Sequence, residues 1–137
     1  MNKKLISIIS PCFNEEDSVV ACYEAIKLIF DTELTNYNYE HIFCDNSSSD
    51  KTVRLLKDIA KNDSNVKLIL NSRNFGILKN TYNGVMHATG DAVLLFMPVD
   101  LQDPPELIPE FVQHWEAGNE IVYGVRANRE EGVLLVW

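Results

Sequence analysis

Short runs of β-branched and aliphatic residues alternate along the chain with segments whose apolar residues recur at helical spacing. Leu5–Ser10 reads as a buried strand. A helix over Ser18–Phe30 follows, with Val19, Tyr23, Ile26 and Phe30 on one face. Tyr39–Cys44 is the second strand, and Lys51–Lys61 the second helix, burying Val53, Leu56 and Ala60 behind Asp50 as its N-cap. Val66–Leu70 is the third strand. Ile77–Ala88 is the third helix, expected to stop at Thr89-Gly90 because glycine tolerates the left-handed cap conformation. Ala92–Met97 is apolar throughout, as befits a strand covered on both faces. A fourth helix, Pro104–Ala117, turns Ile108, Phe111, Val112 and Trp115 inward. Gly118 ends it, and Glu120–Val125 is the fifth strand.

This alternation predicts an α/β fold with a mainly parallel sheet and helices packed on it. The last residues, Gly132–Trp137, are apolar and have nothing after them to pack against. The expected organisation is a domain over residues 1–131, cut short at its C-terminal side, and an apolar tail over 132–137.

Charge and cysteine content narrow the partners. The 137 residues carry 20 acidic and 12 basic side chains, a formal net charge of −8. That balance argues against a nucleic-acid binder, which would show a basic face. Cys12, Cys22 and Cys44 are odd in number and lack metal-ligand spacing, so they read as packing residues in a reduced, cytoplasmic protein. No apolar run reaches membrane-spanning length, and the start is too short and too β-branched for a signal peptide.

In open parallel sheets ligands bind beyond the carboxyl ends of the strands. The unusual polar residues fall there. They are Ser10–Glu16 after the first strand, Asp45–Thr52 after the second, Asn71–Gly76 after the third and Pro98–Glu106 after the fourth. The first strand–helix turn contains no glycine, and there is no Gly-Lys-Ser or Gly-Lys-Thr loop to cradle phosphate. A nucleotide diphosphate would need a divalent cation between it and carboxylates, and Asp100, Gln102 and Asp103 offer hard oxygen ligands. Bland roles compete with this one. Asp103-Pro104-Pro105-Glu106 fits a capping box, which makes Asp103 an N-cap and leaves Asp100 as the stronger ligand candidate. Asn14 or Glu15 serves equally well as helix opener or as ligand. Asp45 and Asn46 suit side-chain-stabilised turns, and Gln102 a solvated amide. His41, His87 and His114 have no partners at ligand spacing and read as structural.

Taken in order, the loops resemble the inverting family 2 glycosyltransferases of the GT-A type, closest to the branch acting on polyprenyl or dolichol phosphate. The matching segments are Ile8–Glu16, Asp45–Thr52, Arg73–Gly76, His87–Asp91, Asp100–Ile108 and Val122–Arg126. The resemblance implies the Rossmann-like, nucleotide-binding half of a GT-A fold. It implies that Pro11, Phe13, Asn14, Glu15, Asp45, Asn46, Arg73, Asn74 and Gly76 bind a nucleotide-sugar donor, with UDP-sugars favoured. Pro11, Phe13 and Glu15 would lie against base and ribose, and Asp45 and Asn46 would read the base edge. Phe13 stands where the family usually has tyrosine, and Asn46 where it has a second aspartate. The Asp-any-Asp metal motif falls on Pro98-Val99-Asp100, so Asp100, with Gln102 beside it, is expected to hold Mg²⁺ or Mn²⁺. The implied activity is inverting transfer to a lipid-linked or saccharide acceptor in cell-envelope glycan synthesis. The catalytic base would lie beyond Trp137, and this fragment alone would be inactive. Membrane association of the full-length protein, at the inner face, and homo-oligomers are further expectations. The alternative is a non-catalytic nucleotide-sugar-binding module or inactive fragment, which Pro98 favours. A signalling receiver domain would need an acidic pair where Ser10 and Pro11 stand.

Overall fold

The computed structural model describes residues 2–95, 99–128 and 131–136. Phe96 and Met97, expected to finish the fourth strand, lie outside the described residues, as do Pro98 and Trp137. The chain forms two compact units that divide after Pro104.

The first unit holds β1 (Leu5–Cys12), α1 (Val19–Thr32), β2 (Asn38–Asp45), α2 (Thr52–Asn62), β3 (Val66–Leu70), α3 (Ile77–His87) and β4 (Ala92–Leu95). Its strands are all parallel and run β3-β2-β1-β4. β1 and β2 are buried almost end to end because both are central, and each extends two or fewer residues past its expected limits. Side chains alternate between the two faces of a strand. On one face Tyr39 stacks on Phe30 of α1, with ring centroids 4.3 Å apart, and His41 packs on Phe43. On the other, Ile9, Ile42 and Cys44 form a core cluster joined by Val85 and Ala88. Gly84 makes the second contact possible. A Cβ there would fall 2.5 Å from Cys44 Sγ and 2.7 Å from Ile9, so only glycine lets α3 lie this close to the sheet.

Glu40, 3% exposed, fastens the amino-terminal end of the sheet. It accepts hydrogen bonds from Ser7 Oγ of β1 (2.5 Å), Thr89 N (2.7 Å) and Thr89 Oγ1 (3.0 Å), and it pairs with Lys67 of β3. Gly90 follows with its N–H on Ser7 Oγ, and Asp91 accepts the Leu5 N–H. Gly90 therefore does not serve as a left-handed cap. Ala88 ends α3 in an extended conformation, and Gly90 is needed because a Cβ would meet Leu5 O and Ser7 N within 2.8 Å.

Other expectations are corrected. β4 is not covered on both faces, since Val93 and Leu95 are 43% and 56% exposed on the side where α3 lies. Asp103 does not cap the fourth helix. A 3-10 turn over Pro105–Leu107 comes first, α4 spans Ile108–Glu116, and its N-cap is Leu107 without a side-chain bond. Asp50 sits one residue ahead of the N-cap of α2, yet accepts the Thr52 N–H at 2.9 Å.

The second unit contains that turn, α4, β5 (Val122–Asn128) and β6 (Glu131–Val136). Ile108 and Val112 are buried, and Phe111 lies against Gly124 of β5. β5 does not join the parallel sheet. It pairs antiparallel with β6, which occupies most of the expected tail. Only Arg129 and Glu130 separate the two strands, a connection too short for the crossover that parallel pairing requires.

Two outcomes follow for the fold. Burial alone would raise the Glu40 pKa, but its bonds to Lys67, Ser7 and Thr89 outweigh that and pull it to about 2, against an ordinary 4.5. Its stabilisation is therefore complete above pH 4.5 and lost as pH falls toward 2. In urea melts Glu40→Gln should cost about 2 kcal/mol at neutral pH, and the difference should shrink below pH 4.5. A pH-independent difference would show that the carboxylate charge is not what holds this end. Gly90→Ala should destabilise by about 2 kcal/mol at every pH, because backbone atoms cannot move aside for the Cβ.

Candidate functional site

The carboxyl ends of β1 and β2 lie side by side, with Cys12 opposite Asp45. Pairing continues past the strand ends. The Asn46 N–H donates to Cys12 O at 2.9 Å, and the Asn71 N–H to Asp45 O at 2.9 Å. Three loops are thereby brought to one rim.

Side chains lock those loops together. Asp45, 1% exposed, accepts Ser48 N (2.9 Å) and Ser48 Oγ (2.5 Å), folding its own loop back. Ser48 Oγ accepts the Asn14 N–H at 2.9 Å, and Asn14 Oδ1 accepts the Ser49 N–H at 2.8 Å. The Glu15 N–H reaches Thr52 Oγ1 at 2.8 Å, while Glu16 and Asp50 exchange bonds with each other's segments. Asn46, 3% exposed, ties in the third loop. Its Nδ2 donates to Asn74 Oδ1 (2.9 Å), and its Oδ1 accepts Phe75 N (2.9 Å) and Asn71 Nδ2 (3.3 Å). Asn74 Oδ1 also accepts the Gly76 N–H at 2.8 Å, where the backbone turns at φ 84° into α3.

The rim therefore gathers Pro11, Phe13, Asn14, Glu15, Asp45, Asn46, Asn74 and Gly76, with roles divided by burial. Pro11, Asp45 and Asn46 are buried, and the side chains of Asp45 and Asn46 bond to neighbouring protein groups. Phe13 is 46% exposed, and Arg73 lies over the Phe75 ring at 4.7 Å. These are the faces open to a ligand. Asn14, Ser47 and Leu101 hold positive φ of 52°, 67° and 61°. Non-glycine residues rarely adopt this conformation, and here all three lie in rim loops.

The fourth loop brings charge. Asp100 is exposed, and its Oδ1 accepts the Gln102 N–H at 3.2 Å. Glu15 has its pKa raised, first by burial and next by the Asp100 charge. The Asp100 charge thus reaches Glu15, and a cation bound beside these carboxylates would relieve the repulsion. The donors are hard oxygens, suited to Mg²⁺ or Mn²⁺ sharing its coordination with a ligand's phosphates. Among the described residues no three His, Cys, Asp or Glu side chains form a cage of their own.

The sequence reading missed Ser48, Thr52, Asn71 and Asn80. Asn80 is 1% exposed inside α3, donates to Cys44 O at 2.7 Å and accepts from Asn71 at 2.8 Å. Its one signal was a polar residue at a position where the helical period calls for an apolar one. Of the three histidines expected to be structural, His41 sits in the core, whereas His87 is exposed. His41 is wholly buried with Nε2 on Ser10 Oγ at 2.8 Å, and burial pushes its pKa down to about 3. All three cysteines are free and buried, and burial pushes the Cys22 and Cys44 thiols up to about 12. A hollow of about 310 Å³ lined by Lys3, Asp31, Tyr37 and Asn65 lies by the starts of β1 and β2, away from the rim.

The family model described as glycosyl transferase family 2 matches residues 7–137. A relative named uncharacterized glycosyltransferase YkcC, from Bacillus subtilis (strain 168), is 39% identical over 90% of this chain and 38% of its own length. The bactoprenol glucosyl transferase of Shigella phage SfV is 36% identical over 90% of this chain and 39% of its own. The chain thus spans about two fifths of the length of these curated relatives. Among solved structures, the mannosyltransferase PcManGT from Pyrobaculum calidifontis, in complex with GDP-Man and Mn²⁺, superposes with a TM-score of 0.67 at 19% identity. It covers 82% of this chain and 32% of that one. S. aureus TarS 1–349 in complex with UDP-GlcNAc gives 0.59 at 23% identity, over 78% of this chain and 32% of that one. The expected α/β fold of parallel sheet and packed helices is thus shared with glycosyltransferases of known structure.

Asn46→Ala should leave Phe75 N and Asn71 without their acceptor and cost about 2 kcal/mol. Hydrogen exchange at the Phe75 amide should accelerate far more than at Ile42 in the strand centre. Unchanged protection at Phe75 would show that Asn46 does not hold the third loop.

Proposed function

The chain belongs to glycosyl transferase family 2, and from that premise we propose that it forms the donor-binding part of an enzyme moving a sugar from a nucleoside diphosphate to a lipid-linked acceptor. The observation that carries this reading is the coincidence of the family match with the hydrogen-bonded rim at the ends of β1, β2 and β3. The lipid acceptor is supported by relatives named bactoprenol glucosyl transferase. The corresponding place of action is the cytoplasmic face of the membrane.

In this reading the exposed ring of Phe13 and the Arg73–Phe75 pair flank the nucleotide. Asp45 and Asn46 position the loops that touch it, and Asn14 and Glu15 hold the first loop against the second. Asp100 and Gln102, with Glu15 near, would hold Mg²⁺ or Mn²⁺, which when bound neutralises charge on the leaving diphosphate. With inversion, the acceptor oxygen forms its bond to the anomeric carbon on the face opposite the breaking bond to diphosphate. Positioning of the acceptor supplies a large share of such a rate. A non-catalytic nucleotide-sugar-binding module is the competing reading, because Pro98 stands where the metal motif would have its first aspartate, and an assay for transfer separates the two.

Titration calorimetry with UDP-glucose and GDP-mannose should show binding of at least one donor in Mn²⁺, weakened tenfold or more by EDTA. Asp100→Asn should reproduce the EDTA loss while leaving the urea midpoint unchanged, since Asp100 is exposed. Equal affinity in EDTA would remove the metal from the reading, and no heat with either nucleotide would remove the donor site.

A further inference from the structure

The outer surface of α3 is apolar where a solvent-facing helix should be polar. Thr81 and Gly84 turn toward the sheet with Asn80, and all three are buried. At the opposite side, at i, i+4 and i+8, stand Leu78, Tyr82 and Met86, exposed by 79%, 66% and 64%. Phe75 and Ile77, 38% and 55% exposed, extend the strip toward the rim. An exposed apolar stripe of this kind marks a surface that meets protein or lipid.

Charge around this strip departs from the rest of the chain. All 20 acidic residues lie outside Ser64–Gly90, a stretch that carries Lys67, Arg73 and Lys79. Lys67 is taken by Glu40, which leaves the exposed Arg73 and Lys79 beside the apolar strip. A chain of net charge −8 thus has one helix face that is apolar with a cationic border and no carboxylate of its own. That combination matches an anionic lipid surface, into which such a face inserts while its cations meet the headgroups.

We propose that the outer face of α3, Leu78, Tyr82 and Met86 bordered by Arg73 and Lys79, is a membrane-contacting surface for anionic lipid. This holds the rim beside α3 close to the bilayer, and it does not depend on which donor the rim binds.

The test is flotation of the chain with vesicles of phosphatidylcholine alone or mixed in equal parts with phosphatidylglycerol, without nucleotide. The chain should float with the mixed vesicles and less with phosphatidylcholine alone. A triple variant, Leu78→Gln, Tyr82→Gln and Met86→Gln, should stay in the dense fraction. Lys79→Glu should weaken binding about tenfold at low salt, by reversing one charge near the surface. Circular dichroism should show both variants folded, since these side chains face outward. Failure of the chain to float with mixed vesicles, or equal flotation of the triple variant, would overturn the proposal. So would light scattering that shows a dimer converted to monomer by the triple variant with no vesicle binding, because the face would then belong to a second copy.

Discussion

A buried amide has two donor and two acceptor positions to satisfy, and at the end of β2 Asn46 fills three of them by recruiting a whole loop. The cost of leaving such a group unpaired is what makes the loop stay. Asp45 does the same for the second loop through Ser48, and Ser48 passes the constraint to the first loop through Asn14. Side chains that a surface reading would assign to ligand contact thus define the shape of the rim. The positive φ values at Asn14 and Ser47 persist because these bonds over-determine them. Glu40 plays the matching part at the other end of the sheet, joining β1, β3 and the segment after α3.

Much of the fold is legible in the sequence because central parallel strands are buried on both faces and helices on one. Val66–Leu70 is read at its observed limits, and α3 begins where the periodicity starts. The readings fail where the deciding contact is distant in sequence. Gly90 looks like a helix stop until Leu5 and Ser7 are seen against it, more than eighty residues away. Asp103 has the spacing of a cap, but a 3-10 turn over Pro105–Leu107 comes first, and the α-helix begins only at Ile108. The strand at Val122–Asn128 is found, but alternation cannot say which sheet a strand joins.

The candidate site divides in the same way. Loop position after parallel strands is enough to locate it, since topology alone sends those loops to one edge. Burial is not readable from residue type. Asp45 and Asn46 have the polarity of ligand contacts and the exposure of core residues, whereas Phe13 has the reverse. Asn80, on the buried side of α3, carries no loop signal, yet it joins β2 to the third loop through Cys44 O and Asn71.

This division bears on how a rim with no phosphate loop, in a net negative chain, would accept the diphosphate of the proposed donor. Glycine-rich loops offer backbone N–H groups to phosphate, but here the N–H groups of Asn14, Glu15, Ser49 and Phe75 are spent on neighbouring loops and that of Ser48 on Asp45 of its own loop. What remains near the rim is an exposed cation, Arg73 over Phe75, against the carboxylates of Asp100 and of a Glu15 whose pKa is already raised by burial and by Asp100. Such a surface repels an anion unless a cation stands between. The bonds that make the rim rigid are thus the ones that would make donor binding dependent on a divalent ion, and the fixed loops would leave that ion little reorganisation to drive.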